Sequence, residues 1–85
     1  MQDEIVLVTL RKEDFCRDFE LPAKIPLGEL CPRLLVVLQK MNARVFGEWT
    51  KLVLETDEGV LQDKNATLHD YGICTGCYLS VEQED

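Results

Sequence analysis

The stretch from Pro26 to Asn42, PLGELCPRLLVVLQKMN, most constrains what this chain can fold into. It is the only segment whose apolar residues recur at helical spacing for several turns. At about 100° per residue, Leu27, Leu30, Cys31, Leu34, Leu35, Val37, Leu38 and Met41 fall within an arc of roughly 160°. Glu29, Arg33, Val36, Gln39 and Lys40 take the other side. An apolar arc that wide predicts burial against a broad surface such as a sheet. Pro26 suits a first helical turn. Pro32 lies further in, where the lost backbone donor predicts a kink or a ragged first turn. Lys and Arg are too few on the polar side for a membrane-seeking helix.

The segments on either side read as the sheet. Glu4 to Leu10, EIVLVTL, is a β-branched and Leu run of strand length. Arg11 to Asp14 is a polar turn, and Phe15 to Leu21 alternates, with Phe15, Phe19 and Leu21 in one phase and Cys16, Asp18 and Glu20 in the other. Two strands on a short polar link predict a hairpin. Trp49 to Thr56 is a third strand, Val60-Leu61 a short fourth and Cys77 to Gln83 the last. Between them, Thr67 to Ile73 has room for one helical turn, capped by Thr67 and stopped by Gly72. The order predicts an α+β fold, a mixed sheet of four to five strands packed on one α-helix. The inward residues are expected to be Ile5 and Leu7, Phe19 and Leu21, Leu52 and Leu54, and Leu79 and Val81. Leu61, Leu68 and Ile73 then close the bottom of the core.

Eighty-five residues allow one domain, taken as 1–82 with an acidic tail at 83–85. A 46% hydrophobic composition is too apolar for disorder. A net charge of −7 repels phosphate backbones and anionic lipid, which makes nucleic acid and membrane surfaces poor partners. No apolar run is long enough to span a bilayer. The N-terminus carries acids where a secretion signal carries Lys or Arg. A cytoplasmic location with reduced thiols at Cys16, Cys31, Cys74 and Cys77 is expected.

In their order, these residues resemble a family. GVLQDKNATLHDYGICTGCYLSVE is similar to the second half of ubiquitin, and the whole chain resembles the YukD/EsaB proteins of type VII (WXG100) secretion systems. The matching pieces are Pro26-Leu27-Gly28-Glu29-Leu30 opening the helix, Trp49 at the third strand, Leu61-Gln62-Asp63, Thr67-Leu68-His69-Asp70-Tyr71-Gly72-Ile73, and the Thr75-Gly76 link. Each marks a turn or core position, and the specificity lies in their sum. The resemblance implies a ubiquitin-like β-grasp and a non-enzymatic accessory or regulatory role, with a secretion component as protein partner. It also allows the ubiquitin-like domain of a larger membrane component.

The residues that could carry chemistry give little support to an enzyme. A ubiquitin-type modifier or a β-grasp sulfur carrier needs a flexible tail ending in Gly-Gly, and Val81 to Asp85 has no glycine. That alternative would require a chain extending further. Cys74-Thr75-Gly76-Cys77 supplies two of the four ligands of a structural zinc site, with His69 as a third. As a redox motif it lacks the helix N-terminus that stabilises a thiolate. A tight turn around Gly76 is the simplest account, with zinc and redox use as alternatives. His69 has no nucleophile and acid at suitable spacing. No catalytic residue, cofactor or bound metal is expected.

The sheet face turned away from the helix is more informative. With Ile5, Leu7, Leu52 and Leu54 inward, the residues facing out are Val6, Val8, Trp49, Lys51, Val53 and Tyr78. A solvated face should be polar at alternate positions, and this one is apolar and aromatic, as an interface is. These six residues are the expected protein-binding face, for a partner or for a second copy of the chain. A one-residue error of phase, or a covering loop, would instead bury some of them.

Overall fold

The structure is a computed structural model that describes residues 4–84. It contains β1 (Ile5–Lys12), β2 (Phe15–Pro22), α1 (Leu27–Met41), α2 (Ala43–Phe46), β3 (Leu52–Thr56), β4 (Gly59–Val60) and β5 (Tyr78–Gln83). The strands form one sheet in the order β2-β1-β5-β3-β4. The β1–β5 pair at its centre is parallel and the others are antiparallel. With α1 across one face, this is the expected α+β arrangement. β3 begins at Leu52, so Trp49 to Lys51 precede the strand. β5 runs through Gln83, and Glu84 pairs with Lys64 at 2.7 Å. Residues 83 and 84 therefore belong to the folded body, whereas Asp85 of the expected tail, and the first three residues of the N-terminus, lie outside the described residues.

The main correction concerns β1. Val6, Val8 and Leu10 point into the core, with Val6 5% and Val8 1% exposed, whereas Ile5 and Leu7 face out. Register supplies the reason. The β1–β2 link is two residues, Glu13 and Asp14, so Val6 sits opposite Leu21 and Val8 opposite Phe19. Residues directly opposite in an antiparallel pair share a face. The phase that places Phe15, Phe19 and Leu21 inward therefore places the even residues of β1 inward as well. Because β1 is apolar at 5, 6, 7 and 8, those four positions by themselves do not reveal this.

α1 buries Leu27, Leu30, Cys31, Leu34, Leu35 and Leu38 against the sheet. Val37 and Met41, at the margins of the arc, stay exposed with Val36. The helix runs unbroken through Pro32. Its first amides are satisfied from outside, Leu27 N–H donating to the Ala66 carbonyl at 2.8 Å and Gly28 N–H to that of Lys64 at 2.9 Å. A helix start has no internal acceptors of its own, so the 62–66 loop acts as its cap. Thr67 and Asp70 cap one another further on: Asp70 N–H donates to Thr67 Oγ1 at 3.1 Å and Thr67 N–H to Asp70 Oδ2 at 3.0 Å. That reciprocal pair fixes the turn that buries Leu68 and Ile73.

The far end of the core is closed by aromatics. Asn42 ends α1 and starts α2, accepting the Val45 N–H on its side chain at 3.2 Å. α2 buries Phe46, which meets Phe15 and Trp49 edge-on at centroid separations of 5.1 and 4.9 Å. Gln39 Nε2 donates to the carbonyls of both Phe46 and Trp49. Trp49 is thereby packed against the core cluster.

Three outcomes are expected from this packing. Phe46→Ala should cost about 3–5 kcal/mol in urea denaturation, against the roughly 5–15 kcal/mol available to a domain; a loss near zero would show that the aromatic cap contributes little. Glu13, at φ 53 in the hairpin turn, is the described non-glycine residue with positive φ. Glycine there relieves a strain of roughly 1–2 kcal/mol and adds unfolded-state entropy, so Glu13→Gly should stabilise by about 0.5–1 kcal/mol in the same measurement. The third concerns Glu84, whose hydrogen bond to Lys64 holds its carboxyl below the ordinary 4.5. A depressed carboxyl contributes stability above its unfolded value and loses it as pH falls through the folded value. Urea midpoints of Glu84→Gln should therefore fall less than those of the natural chain when pH is lowered past 4.5.

Candidate protein-docking face

The six residues expected on the binding face do not come together. Val6 and Val8 lie in the core beneath α1, and Trp49 packs at its aromatic end. Val53, on the opposite pleat from Leu52 and Leu54, is buried by the protein's own atoms. Lys51 is exposed and lines a separate groove of about 240 Å3 beside the start of α1, with Leu27, Cys31, Lys64 and Glu84. Of the six, Tyr78 alone remains exposed on the sheet face away from the helix, at 61%.

That face keeps exposed apolar side chains, contributed by other residues, beside the polar Asp18, Glu20, Ser80 and Glu82. The outward phase of β1 is Ile5, Leu7, Thr9 and Arg11, and Ile5 and Leu7 are 51% and 43% exposed. Tyr78 stands opposite Thr9 in the β1–β5 ladder, and Ser80 opposite Arg11. The Arg11 guanidinium lies 5.0 Å from the centre of the Tyr78 ring, a cation–π contact that orients the ring. Thr9 is occupied within the protein, its hydroxyl donating to Asp18 Oδ1 at 2.6 Å. Ile5, Leu7 and Tyr78 are therefore the side chains left to meet another molecule. The alternation of β2, once carried across the hairpin, was the sequence signal that could have identified Ile5 and Leu7.

Beside Tyr78 the face dips into an open groove of about 770 Å3, whose lining includes Arg11, Glu55, Asp57, Val60, Tyr71 and Tyr78. Tyr71 is fixed there by accepting the Asp63 N–H on its hydroxyl at 3.0 Å. Lys12 is engaged with Glu82 at 2.8 Å, and this hydrogen bond raises its ammonium pKa above the ordinary value. Burial pushes the Cys31 thiol up from its ordinary value. Both shifts have structural causes. Hydrogen bonding with Cys77 raises the Cys74 thiol, and His69 is exposed on its turn. Among the described residues no three His, Cys, Asp or Glu side chains gather as a metal site would require, and no helix is long and apolar enough to cross a membrane.

Comparison with solved structures places this geometry among ubiquitin-like folds. The ubiquitin-like domain of the Mycobacterium tuberculosis type VII secretion system protein ECCD1 superposes with a TM-score of 0.75 at 18% identity, covering 92% of this chain and 97% of that one. The EccD5 ubiquitin-like domain from Mycobacterium xenopi gives 0.79 at 16% identity, covering 96% and 97%. A chain of the MycP5-free ESX-5 inner membrane complex gives 0.73 at 17% identity, with 92% of this chain matched to 20% of that one. At these identities the likeness establishes the ubiquitin-like β-grasp. No curated protein sequence matches the chain. The family model for protein YukD of the WXG100 protein secretion system (Wss) matches residues 5–81, almost the entire described chain, and the chain belongs to that family.

Proposed function

We propose that this protein is a non-enzymatic binding module, an accessory or regulatory component acting in the cytoplasm for a type VII secretion apparatus. It docks through the sheet face carrying Ile5, Leu7 and Tyr78. The observation that carries this reading is the exposure of those three side chains on adjacent strands, on the face that α1 leaves uncovered. Apolar side chains gathered in one place on a charged surface mark an interaction site, and Tyr is enriched at the energetic centres of interfaces.

Membership of the YukD family supports a secretion partner, as does the ubiquitin-like match within an inner membrane complex. The non-enzymatic reading draws on the use of the shifted groups: Lys12 and Glu84 owe their shifts to ion pairs. Glu55, Asp57 and Glu58 around the groove favour a partner segment that combines apolar and basic residues, since complementary charge raises association rate and selectivity. The comparisons give self-association no support.

The test is a double variant, Leu7→Thr with Tyr78→Thr, which keeps strand-forming residues at both positions. Because both side chains are exposed, stability should change by less than about 1 kcal/mol. Loss of two contact residues should weaken capture of cognate secretion components by roughly 30-fold or more, measured by affinity purification from cells bearing the apparatus. Val36→Thr on the exposed side of α1 is the control. Capture that survives the double variant but is lost with Val36→Thr would place the docking surface on the helix instead.

A further inference from the structure

The turn between Gly72 and β5 holds a cysteine pair that the docking reading does not use. Cys77 N–H donates to the Cys74 carbonyl at 3.1 Å, which closes a four-residue β-turn and brings the two Cα atoms within about 7 Å. Disulfides span Cα separations of about 4.4–6.8 Å. Gly76 takes φ 101, the positive value needed at the third position of a type II turn. The Cys74 N–H donates to Cys77 Sγ at 3.4 Å, so the Cys77 sulfur folds back over the turn towards residue 74. Three hydrogen bonds fasten the turn to β1: Leu7 N–H to Thr75 Oγ1 at 3.1 Å, Gly76 N–H to the Leu7 carbonyl at 2.9 Å, and Thr9 N–H to the Cys77 carbonyl at 3.0 Å. The chain segment is therefore already bent and held, and joining the sulfurs requires side-chain rotation with little backbone rearrangement.

We infer that Cys74 and Cys77 form a reversible dithiol–disulfide pair, closed by a low-molecular-weight disulfide. Cys74 is exposed and Cys77 half-buried, which sets the order of events. The Cys74 thiolate attacks one sulfur of the small disulfide, forming a mixed disulfide and releasing one small thiol. The Cys77 thiolate then attacks the Cys74 sulfur and releases the second. Two electrons pass from the cysteine pair to the small disulfide, and the two protons end on the released thiols. Hydrogen bonding with Cys77 holds the Cys74 thiol above its ordinary value. Because Leu7 accepts and donates into this turn and Tyr78 follows Cys77 directly, the bond would stiffen one margin of the docking face; its formation does not depend on that face having a partner.

The experiment equilibrates the reduced natural chain with mixtures of glutathione and oxidised glutathione. Free thiols are then trapped by alkylation, and the peptide carrying both cysteines is weighed. The expected product has lost two hydrogens, carries no glutathione and reverts in reducing mixtures. In Cys77→Ser the reaction should stop at a glutathione adduct on Cys74. A glutathione adduct that accumulates on Cys74 in the natural chain would overturn the inference, as would Cys74 and Cys77 remaining alkylatable while Cys16 is oxidised. The natural chain alone decides the question, whether or not the serine variant folds well.

Discussion

Everything in this structure depends on which way the β1–β2 hairpin faces. β1 offers two apolar sides over residues 5–8, and those four residues taken alone would favour the opposite face. Burying Ile5 and Leu7 in place of Val6 and Val8 would remove two more methylenes from water, roughly 1.6 kcal/mol at about 0.8 each. The rest of the hairpin outweighs that gain. Turning it over would expose Leu10, Phe15, Phe19 and Leu21 and place Arg11, Asp18 and Glu20 beneath α1. Each uncompensated ion under the helix costs several kcal/mol. The alternation of β2, passed through a two-residue turn, therefore decides the phase of β1. β1 in turn sets the face presented by the parallel pairing with β5.

What was legible in the sequence divides from what was not according to whether the signal is local. The helix, the strand order along the chain, the capped turn at Thr67 and the core positions Leu52, Leu54, Leu61, Leu68, Ile73, Leu79 and Val81 follow from period, cap and turn chemistry. Each of these signals is local, and the structure agrees with them. The phase of β1 is not local. It was nonetheless recoverable, because antiparallel pairing across an even-numbered link carries the inward parity of Phe19 and Leu21 onto Val8 and Val6. Trp49 was misplaced for a different reason. Its position depends on α2, a helix of one turn that no periodicity announces, and on the Gln39 side chain reaching two carbonyls across the chain. The hint available was Asn42, a capping residue directly after the long helix. Val37 and Met41 show the limit of an arc drawn on a helical wheel, since residues at its margins meet the edge of the sheet rather than its face.

The corrected face keeps part of the apolar character of the expected one with a different membership, and the exchange has chemical consequences. An interface built on Trp49 would sit at the end of the sheet. Ile5, Leu7 and Tyr78 instead lie on β1 and β5, two inner strands of the sheet, at and just before the start of their parallel ladder. Side chains on such a platform lose little backbone freedom on binding, which lowers the entropic cost of association. Arg11 adds to this by fixing the Tyr78 ring from beside it.

A net charge of −7 also weighs against two copies pairing through the face proposed for docking. Two copies approaching through Ile5, Leu7 and Tyr78 would bring Asp18 and Glu20 of β2, and Glu55, Asp57 and Glu58 around the groove, towards their own kind. Like charges juxtaposed at an interface cost several kcal/mol, comparable to what three exposed side chains could return on burial at about 1.5–3 kcal/mol each. A partner carrying basic residues reverses the sign of that contribution while keeping the apolar gain. In the proposed docking, the acidic surroundings would select the occupant and the apolar centre would hold it once it arrives.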